Sequence, residues 1–411
     1  MSSPSTSVNS PFLGWYVVAA TFVLAVFGWG VGFYGPPIYL QVVVQRTGWS
    51  VPLVSTAVTL HFLVGAAVVA NLPRLYRMAG VPLITSLGAV LLAIGVVGWS
   101  VAYQPWHLFA ASLLSGVGWV AMGAAAVNAI IAPWFVRSRP AALSMAYNGA
   151  SVGGVIFSPL WVALIVSNGF ANAALVVGVS MIFIVTSLSV VVFSKSPETM
   201  GQFPDGSRQD QFRAPTANSI NASLPGRLLW RDRRFITLAV GMAAGLFAQI
   251  GLLAHLFSIL VPVFGSQSAG LLMGSATVAA IAGRTGIGWL MPVSADRRLI
   301  ASASYGVQMI GSLALLWAGG ENMAAMIVGV LLFGLGIGNA TSLPPLIAQV
   351  EFVKADAARV VPLIVAMSQA IYALAPALFG VARAISDPSL LVLAVAIQCL
   401  AVAAYLYGRH R

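Results

Sequence analysis

Apolar residues run along this chain in blocks of about twenty, separated by short polar or Gly/Pro-rich breaks, and about twenty apolar residues carry a helix across a bilayer. Twelve blocks are legible, at approximately 13–35, 50–72, 81–102, 106–132, 141–167, 172–193, 234–262, 267–291, 298–318, 322–349, 358–383 and 388–408. The pattern predicts an all-α integral membrane protein with twelve transmembrane helices. One long stretch, 194–233, turns polar and carries Pro197, Pro204, Pro215 and Pro225. It divides the chain into a tail (1–12), a six-helix bundle (13–193), a linker (194–233), a second six-helix bundle (234–408) and a short tail (409–411).

Composition agrees. With 59% hydrophobic and only 7% charged residues, a soluble fold would have too few charges to cover its exterior, whereas lipid solvates apolar helix faces. A lone cysteine, Cys399, excludes a disulfide framework and cysteine-based metal binding, and the four histidines show no zinc-enzyme spacing. No cofactor and no enzymatic constellation are expected. Residues 1–12 contain no Lys or Arg, so the first apolar block is expected to stay as an anchor rather than be cleaved as a signal peptide.

The net charge of +11 lies almost wholly in the connectors. Threading the twelve blocks puts seventeen of the twenty basic residues on one side, from Arg74 and Arg77 through the linker's Arg208 and Arg213 to Arg409 and Arg411. Arg46 and Arg383 fall on the other side, and Arg284 lies within a block. The positive-inside rule then places both termini and the linker in the cytoplasm of a cell that carries the protein in its cell membrane, the inner one in a bacterium. Such a distribution serves orientation in a lipid bilayer and excludes nucleic acid as a partner.

The halves repeat one another. Each has short basic connectors after its second and fourth helices and a glycine-rich fourth helix, with Gly116-x-Gly118 in one and Gly334-x-Gly336-x-Gly338 in the other. Those glycines suit close helix packing. A six-plus-six repeat joined by a cytoplasmic linker describes a secondary transporter whose site lies between the bundles near the membrane midplane.

The segment Trp134 to Leu160, WFVRSRPAALSMAYNGASVGGVIFSPL, resembles the signature of the monocarboxylate transporter family, with Phe135, Arg137, Arg139, Pro140, Ala142, Ala146, Gly149, Gly153 and Pro159 in register. Gly14-Trp15-Tyr16-Val17-Val18 is similar to the tail of that family's first motif, and SPETMGQFPDG to the linker start of the related oxalate/formate exchangers. The resemblance implies the major facilitator fold, twelve helices in two pseudo-symmetric six-helix bundles, with a monomer as the functional unit. Departures accompany it. The acid that opens the family's first motif falls at about Ser10, the connector NLPRLYRMAGVP has no acid, and Pro292 stands where the acid of WLMPVSADRR is expected, with Asp296 displaced. A gate held by an acid in the second connector is therefore not expected in the first half.

Arg284 is the one formally charged side chain well within a block. A guanidinium at membrane depth needs a wet cavity or a partner, and its fork suits both oxygens of a carboxylate. The resemblance assigns the same role to an arginine of the eighth helix. Against it stands a side chain snorkelling to the cytoplasmic surface. No Asp or Glu falls in the middle of a block; Ala280 and Ile38 occupy positions where proton-coupled relatives carry an Asp and a Lys. Exchange or facilitated diffusion is thus expected over coupling by the familiar pair.

His61 and His255 are the other titratable groups at depth, suited either to ligand binding or to hydrogen bonding between helices. Tyr34, Asn148, Tyr372, Gln369 and Asn339 are further candidate substrate residues, with Asn128, Tyr147 and Gln249 on helices that line the cavity in this superfamily. Arg74, Arg77, Arg137, Arg139, Asp296 and Arg297 are candidates for the cytoplasmic gate. The expected function is transport of a small organic anion, a mono- or dicarboxylate, by alternating access. Export of apolar or drug-like compounds and a non-transporting membrane sensor are the alternatives.

Overall fold

The computed structural model describes residues 12–206, 226–292 and 295–409, and among them every regular element is helical. Residues 1–11 and the linker's Arg208, Asp210, Arg213, Pro215 and Pro225 lie outside the described residues, as does Arg411.

All twelve blocks form helices. Helix α1 is Gly14–Thr47 and is interrupted at Phe33–Tyr34; α2 is Val51–Val69, α3 is Leu72–Val101, and α4 is Pro105–Ile131, interrupted after Val120. Arg139–Leu188 turns sharply at Gly169 into α5 (139–168) and α6 (170–188), and Arg233–Leu290 turns at Gly265 into α7 (233–264) and α8 (266–290). Helix α9 is Arg297–Ala318, α10 joins Met323–Ile337 to Leu343–Glu351, α11 joins Lys354–Tyr372 to Ala375–Ile385, and α12 is Asp387–Tyr407. One boundary differs from the sequence reading. Pro36-Pro37 does not end the first helix at 35, because prolines in the first turn of a new helical segment have no N–H to leave unpaired, and the helix runs on to Thr47. The turns at Gly169 (φ 77°, ψ 162°) and Gly265 (φ 74°, ψ 164°) occupy a region open in practice only to glycine, so each lets the chain reverse within one residue.

The same four packings recur in each half, every one closed by a residue without a side chain or by neighbouring helix faces. Helix α1 meets α5 where Gly149 faces the Phe22 carbonyl, and α7 meets α11 where Gly251 faces Phe379. Helix α2 meets α4 at Gly116 against His61, as α8 meets α10 at Gly334 against Ala276. Helix α3 meets α4 at Gly118 against Leu92, as α9 meets α10 at Gly336 against Ser304. Finally α3 packs on α6 at Ala93–Gly178, and α9 packs on α12. The glycines of α4 and α10 thus serve backbone contact on both sides of the helix.

The bundles meet on the side away from the basic connectors. There Gly270 and Gly274 of α8 sit against Ser158, Pro159 and Val155 of α5, and Gly380 of α11 sits against Ser55 of α2. The Thr59 hydroxyl of α2 accepts the Ala377 N–H at 2.9 Å, capping the second segment of α11 from the opposite bundle. One apolar core runs through the first bundle and across this interface to Leu256, Met273 and Phe379, while Phe235, Ile347, Val360 and Tyr405 form a separate core at the second bundle's basic end. At that end Trp289 and Leu290, the last two residues of α8, are 86% and 82% exposed.

Candidate functional site

Four helices, α1, α4, α10 and α11, are interrupted, and each interruption frees backbone groups that need partners at membrane depth. At the α1 break the carbonyls of Gly30, Val31 and Gly32 receive Trp161 Nε1 (3.2 Å), the Tyr39 hydroxyl (3.1 Å) and His61 Nε2 (2.9 Å). The other His61 nitrogen faces the Ser115 hydroxyl at 2.8 Å, so this buried ring is fully engaged within the protein and offers a ligand nothing. His255 does similar work at α11, donating from Nε2 to the Pro376 carbonyl at 3.1 Å; its Nδ1 is buried without a recorded partner. Both histidines therefore tie broken helices together.

The α10 break holds the charged centre. Helix α10 pauses at Gly338, whose carbonyl sits at the negative end of the preceding segment's dipole. Arg284 Nε donates to that carbonyl at 3.0 Å. The side chain stays half-buried rather than snorkelling, some 9 Å of helix rise from the last residue of α8. None of the four ion pairs recorded among the described residues includes Arg284. With Nε fixed on Gly338, the two Nη groups form a free fork of the geometry that accepts a carboxylate in two parallel bonds.

Tyr34, at the α1 break, is buried. Its ring lies with the Thr277 methyl over Gly154 of α5, where even a Cβ would approach within 2.7 Å of the ring. Phe33 (5.1 Å between ring centroids) adjoins Tyr34 and continues to Phe62 (5.9 Å) and to Trp119 of α4 (6.3 Å, stacked). Trp29 meets Trp119 at 5.1 Å and Tyr147 at 6.1 Å, and Tyr372 of α11 reaches Phe62 at 6.3 Å. The sequence reading named Tyr34, Tyr147 and Tyr372 singly; it missed Trp29, Phe33 and Trp119, whose only signal was an aromatic excess on α1 and α4.

Other candidates scatter. Gln369 lies on the last turn of the first α11 segment, half-buried beside Tyr372. Asn339 is buried in the α10 break next to Gly338, its amide 3.5 Å from the Leu335 carbonyl. Asn148 is exposed with no recorded side-chain bond, while Asn128 bonds Tyr147. Gln249 accepts from Gln308 at 3.3 Å inside the second bundle, away from Arg284.

At the basic face, Arg74, Arg77, Arg137 and Arg139 are exposed, and Arg297 has no recorded side-chain bond. The engaged arginine is its neighbour Arg298. It is 1% exposed and donates to both Glu351 oxygens (2.6 and 2.7 Å), to the Thr237 hydroxyl (2.9 Å) and to the Arg234 carbonyl (2.8 Å), joining α7, α9 and α10. Asp296 accepts the N–H groups of Arg298 and Leu299, capping α9, and pairs with Arg409 at 2.6 Å. Burial pushes its carboxyl up, but the Leu299 N–H and Arg409 outweigh that and hold it below the usual carboxylate range. In the first half an acid arrives from the linker. Asp205 accepts the N–H groups of Val136, Arg137 and Ser138 (2.8–3.0 Å), a negative charge at the amino end of α5. The Pro-Asp-Gly turn was its signal in the sequence.

The Major Facilitator Superfamily model matches residues 17–376. The chain is 28% identical over 284 residues to MFS transporter asaE of Aspergillus flavus, covering 68% of this chain and 60% of that one, so it spans about three fifths of that relative's length. It is 23% identical over 319 residues to the uncharacterized MFS-type transporter YcxA of Bacillus subtilis, covering 75% and 72% of the two chains. The crystal structure of nucleoside transporter NupG aligns at a TM-score of 0.71 and 12% identity over 97% of this chain and 100% of that one. A bacterial homolog of the human lysosomal transporter Spinster, inward-facing and occupied, gives 0.62 and 15%, covering 97% and 95%. At these identities the structural likeness shows the fold alone. The family match, together with the repeated packings of a multi-pass helical membrane protein, places the chain: it belongs to the Major Facilitator Superfamily.

Proposed function

We propose that the protein moves a small organic anion across the membrane by alternating access, and that Arg284 takes its carboxylate. The observation that carries this reading is the guanidinium at the α10 break, held by the Gly338 carbonyl through Nε and with no ion pair among the described residues to quench it. A permanent acid would compete with substrate; a backbone carbonyl orients the fork and leaves the charge available. Exchange is the favoured mode, because Glu351 is spent on Arg298 and no acid lies at the level of Arg284 on α8. The seventeen-to-two distribution of basic residues supports both termini and the 194–233 linker on the cytoplasmic face of the cell membrane.

Uptake into proteoliposomes of labelled mono- and dicarboxylates, with and without internal counter-substrate, tests the function. Carboxylate exchange that Arg284→Ala abolishes is expected. Unchanged flux and binding in that variant would leave Arg284 a packing residue and remove the anion assignment. A reporter fused within the linker tests the orientation and should behave as cytoplasmic.

A further inference from the structure

We propose that the basic end of the second bundle binds the headgroup phosphate of an anionic phospholipid, in a cavity between the start of α7 and the end of α12 where Arg233 is the principal contact. The site is independent of whatever Arg284 binds. A cavity of about 290 Å³ opens there, lined by Asp232, Arg233 and Arg234 at the entry to α7 and by Gly408 and Arg409 just past α12. That volume is roughly ten times the ~30 Å³ share of a liquid water molecule, room enough for a phosphate group with its ester links. Gly408 is buried, and an added Cβ would run into the Arg298 guanidinium and the Thr237 hydroxyl, so this wall of the cavity stays bare of side chain.

The arginines of this cavity are not equivalent. Arg234 is occupied by the Asp232 carboxylate (2.8 Å) and the Glu351 carbonyl (2.9 Å), and Arg409 by the Asp296 carboxylate (2.6 Å). Arg233 is exposed and has no ion pair among the described residues; its guanidinium lies 4.0 Å over the Tyr407 ring and donates through Nη2 to the Tyr407 carbonyl. Arg233, Arg234 and Arg409 thus face two carboxylates, Asp232 and Asp296, and one positive charge is left uncompensated. A phosphodiester carries one negative charge, and its oxygens match the guanidinium fork. Arg233 also opens α7, where the helix dipole disfavours a cation and favours an anion, so a phosphate bound there complements both the side chain and the helix end.

The surroundings select a lipid over a soluble anion. On α7 the exposed stripe that begins at Arg233 continues through Ile236 and Val240, three and seven residues on, and on α12 the exposed stripe that ends at Tyr407 runs back through Ala403 and Leu400. The two helices pack together, and the stripes meet where Arg233 covers Tyr407. An apolar seam therefore descends from the cavity along the outside of the bundle. Trp230 and Tyr407, 53% and 67% exposed, stand beside the cavity as interfacial aromatic residues do at the headgroup level of a bilayer. Inorganic phosphate would engage the arginine and make no use of the seam. A phospholipid uses both, its headgroup in the cavity and its acyl chains along Ile236, Val240 and Leu400, and basic clefts between helix ends on the positive face of a membrane protein take anionic headgroups by this chemistry.

The test titrates the purified full-length protein in detergent with phosphatidylglycerol, phosphatidylcholine, glycerophosphoglycerol and inorganic phosphate, reading bound ligand by native mass spectrometry and thermal shift. One phosphatidylglycerol should bind at least ten-fold more tightly than phosphatidylcholine, whose phosphodiester is balanced by its own ammonium, and at least ten-fold more tightly than the two probes without acyl chains. Arg233→Gln should bring phosphatidylglycerol down to the phosphatidylcholine level, and Arg233→Lys, which keeps the charge and loses the fork, should fall between. Arg359→Gln removes the same charge from an exposed position on α11 and should leave binding unchanged. Equal losses in Arg233→Gln and Arg359→Gln would reveal attraction to bulk charge and overturn the site. Glycerophosphoglycerol or phosphate binding as tightly as the lipid would make this a soluble-anion site and overturn the lipid assignment. Phosphatidylcholine binding as tightly as phosphatidylglycerol also overturns the proposal, and it does so on the wild-type protein, whether or not any variant folds.

Discussion

The Arg298–Glu351 pair gives an asymmetric prediction. Arg298 is 1% exposed, and its guanidinium donates to two carboxylate oxygens, one hydroxyl and one backbone carbonyl; Glu351 is 17% exposed at the rim of the same cluster. Glu351→Leu leaves a buried cation with only neutral acceptors, the circumstance in which breaking a buried pair costs about 3–5 kcal/mol. Arg298→Met leaves a carboxylate that can turn to water, a Thr237 hydroxyl already bonded to the Arg233 carbonyl at 2.7 Å, and a methionine that fills the space, so about 1–3 kcal/mol is expected. The double variant removes both charges together and should fall close to wild type, within about 1 kcal/mol. The order of destabilisation is thus Glu351→Leu, then Arg298→Met, then the pair, with a coupling energy of about 3–8 kcal/mol in the double-mutant cycle. Reversible unfolding in mixed detergent micelles, followed by circular dichroism, measures all four proteins. Additive single effects, or a Glu351 variant no worse than wild type, would show that the contact is a surface ion pair and refute the reasoning from burial.

Three further outcomes follow from single contacts. Thr59→Val removes the hydroxyl that caps Ala377 across the bundle interface, a loss of about 1 kcal/mol, so the population should shift about five-fold away from the closed interface; spin-label distances between α2 and α11 would show no change if the contact were idle. Gly154→Val forces a branched side chain into space where a Cβ alone lies 2.7 Å from the Tyr34 ring, so substrate binding should fall at least ten-fold with normal expression, as ligand-induced thermal shifts would report. The Arg234 guanidinium, together with the Arg234 N–H, holds the Asp232 carboxyl below its ordinary 3.8 against the opposing effect of burial. Because that value is depressed on folding, the stabilisation is complete above about pH 4 and is lost as pH falls through the lowered value; a thermal stability profile from pH 7 to 3 should show the loss in wild type and a flatter curve in Asp232→Asn.

The twelve helices were legible because a membrane span obeys a length rule that needs no tertiary partner, and the repeat was legible because each half carries the same punctuation. Glycines in α4 and α10 announced close packing for a similar reason: at a backbone contact there is no room for anything larger. Arg284 stood out because charge at membrane depth is rare on energetic grounds alone. What it would meet was not legible. Its partner, the Gly338 carbonyl, is a backbone group carrying no residue-specific signal, freed only because α10 breaks there and turned toward α8 only by the packing of Gly334 and Gly338. The histidines show the same limit: His61 and His255 are sequence candidates for ligand binding, and only the fold shows His61 engaged by the Gly32 carbonyl and Ser115, and His255 by the Pro376 carbonyl through Nε2. Arg298 could not be told from Arg297, because one residue is 100° of helix, and only the placement of α10 decides which of the two turns inward to Glu351. The ring cluster was legible only in part: Trp29 and Phe33 stand one helical turn apart, but Trp119 and Tyr147 lie far from them in sequence, and the closeness of α1, α4 and α5 is a property of the folded bundle alone.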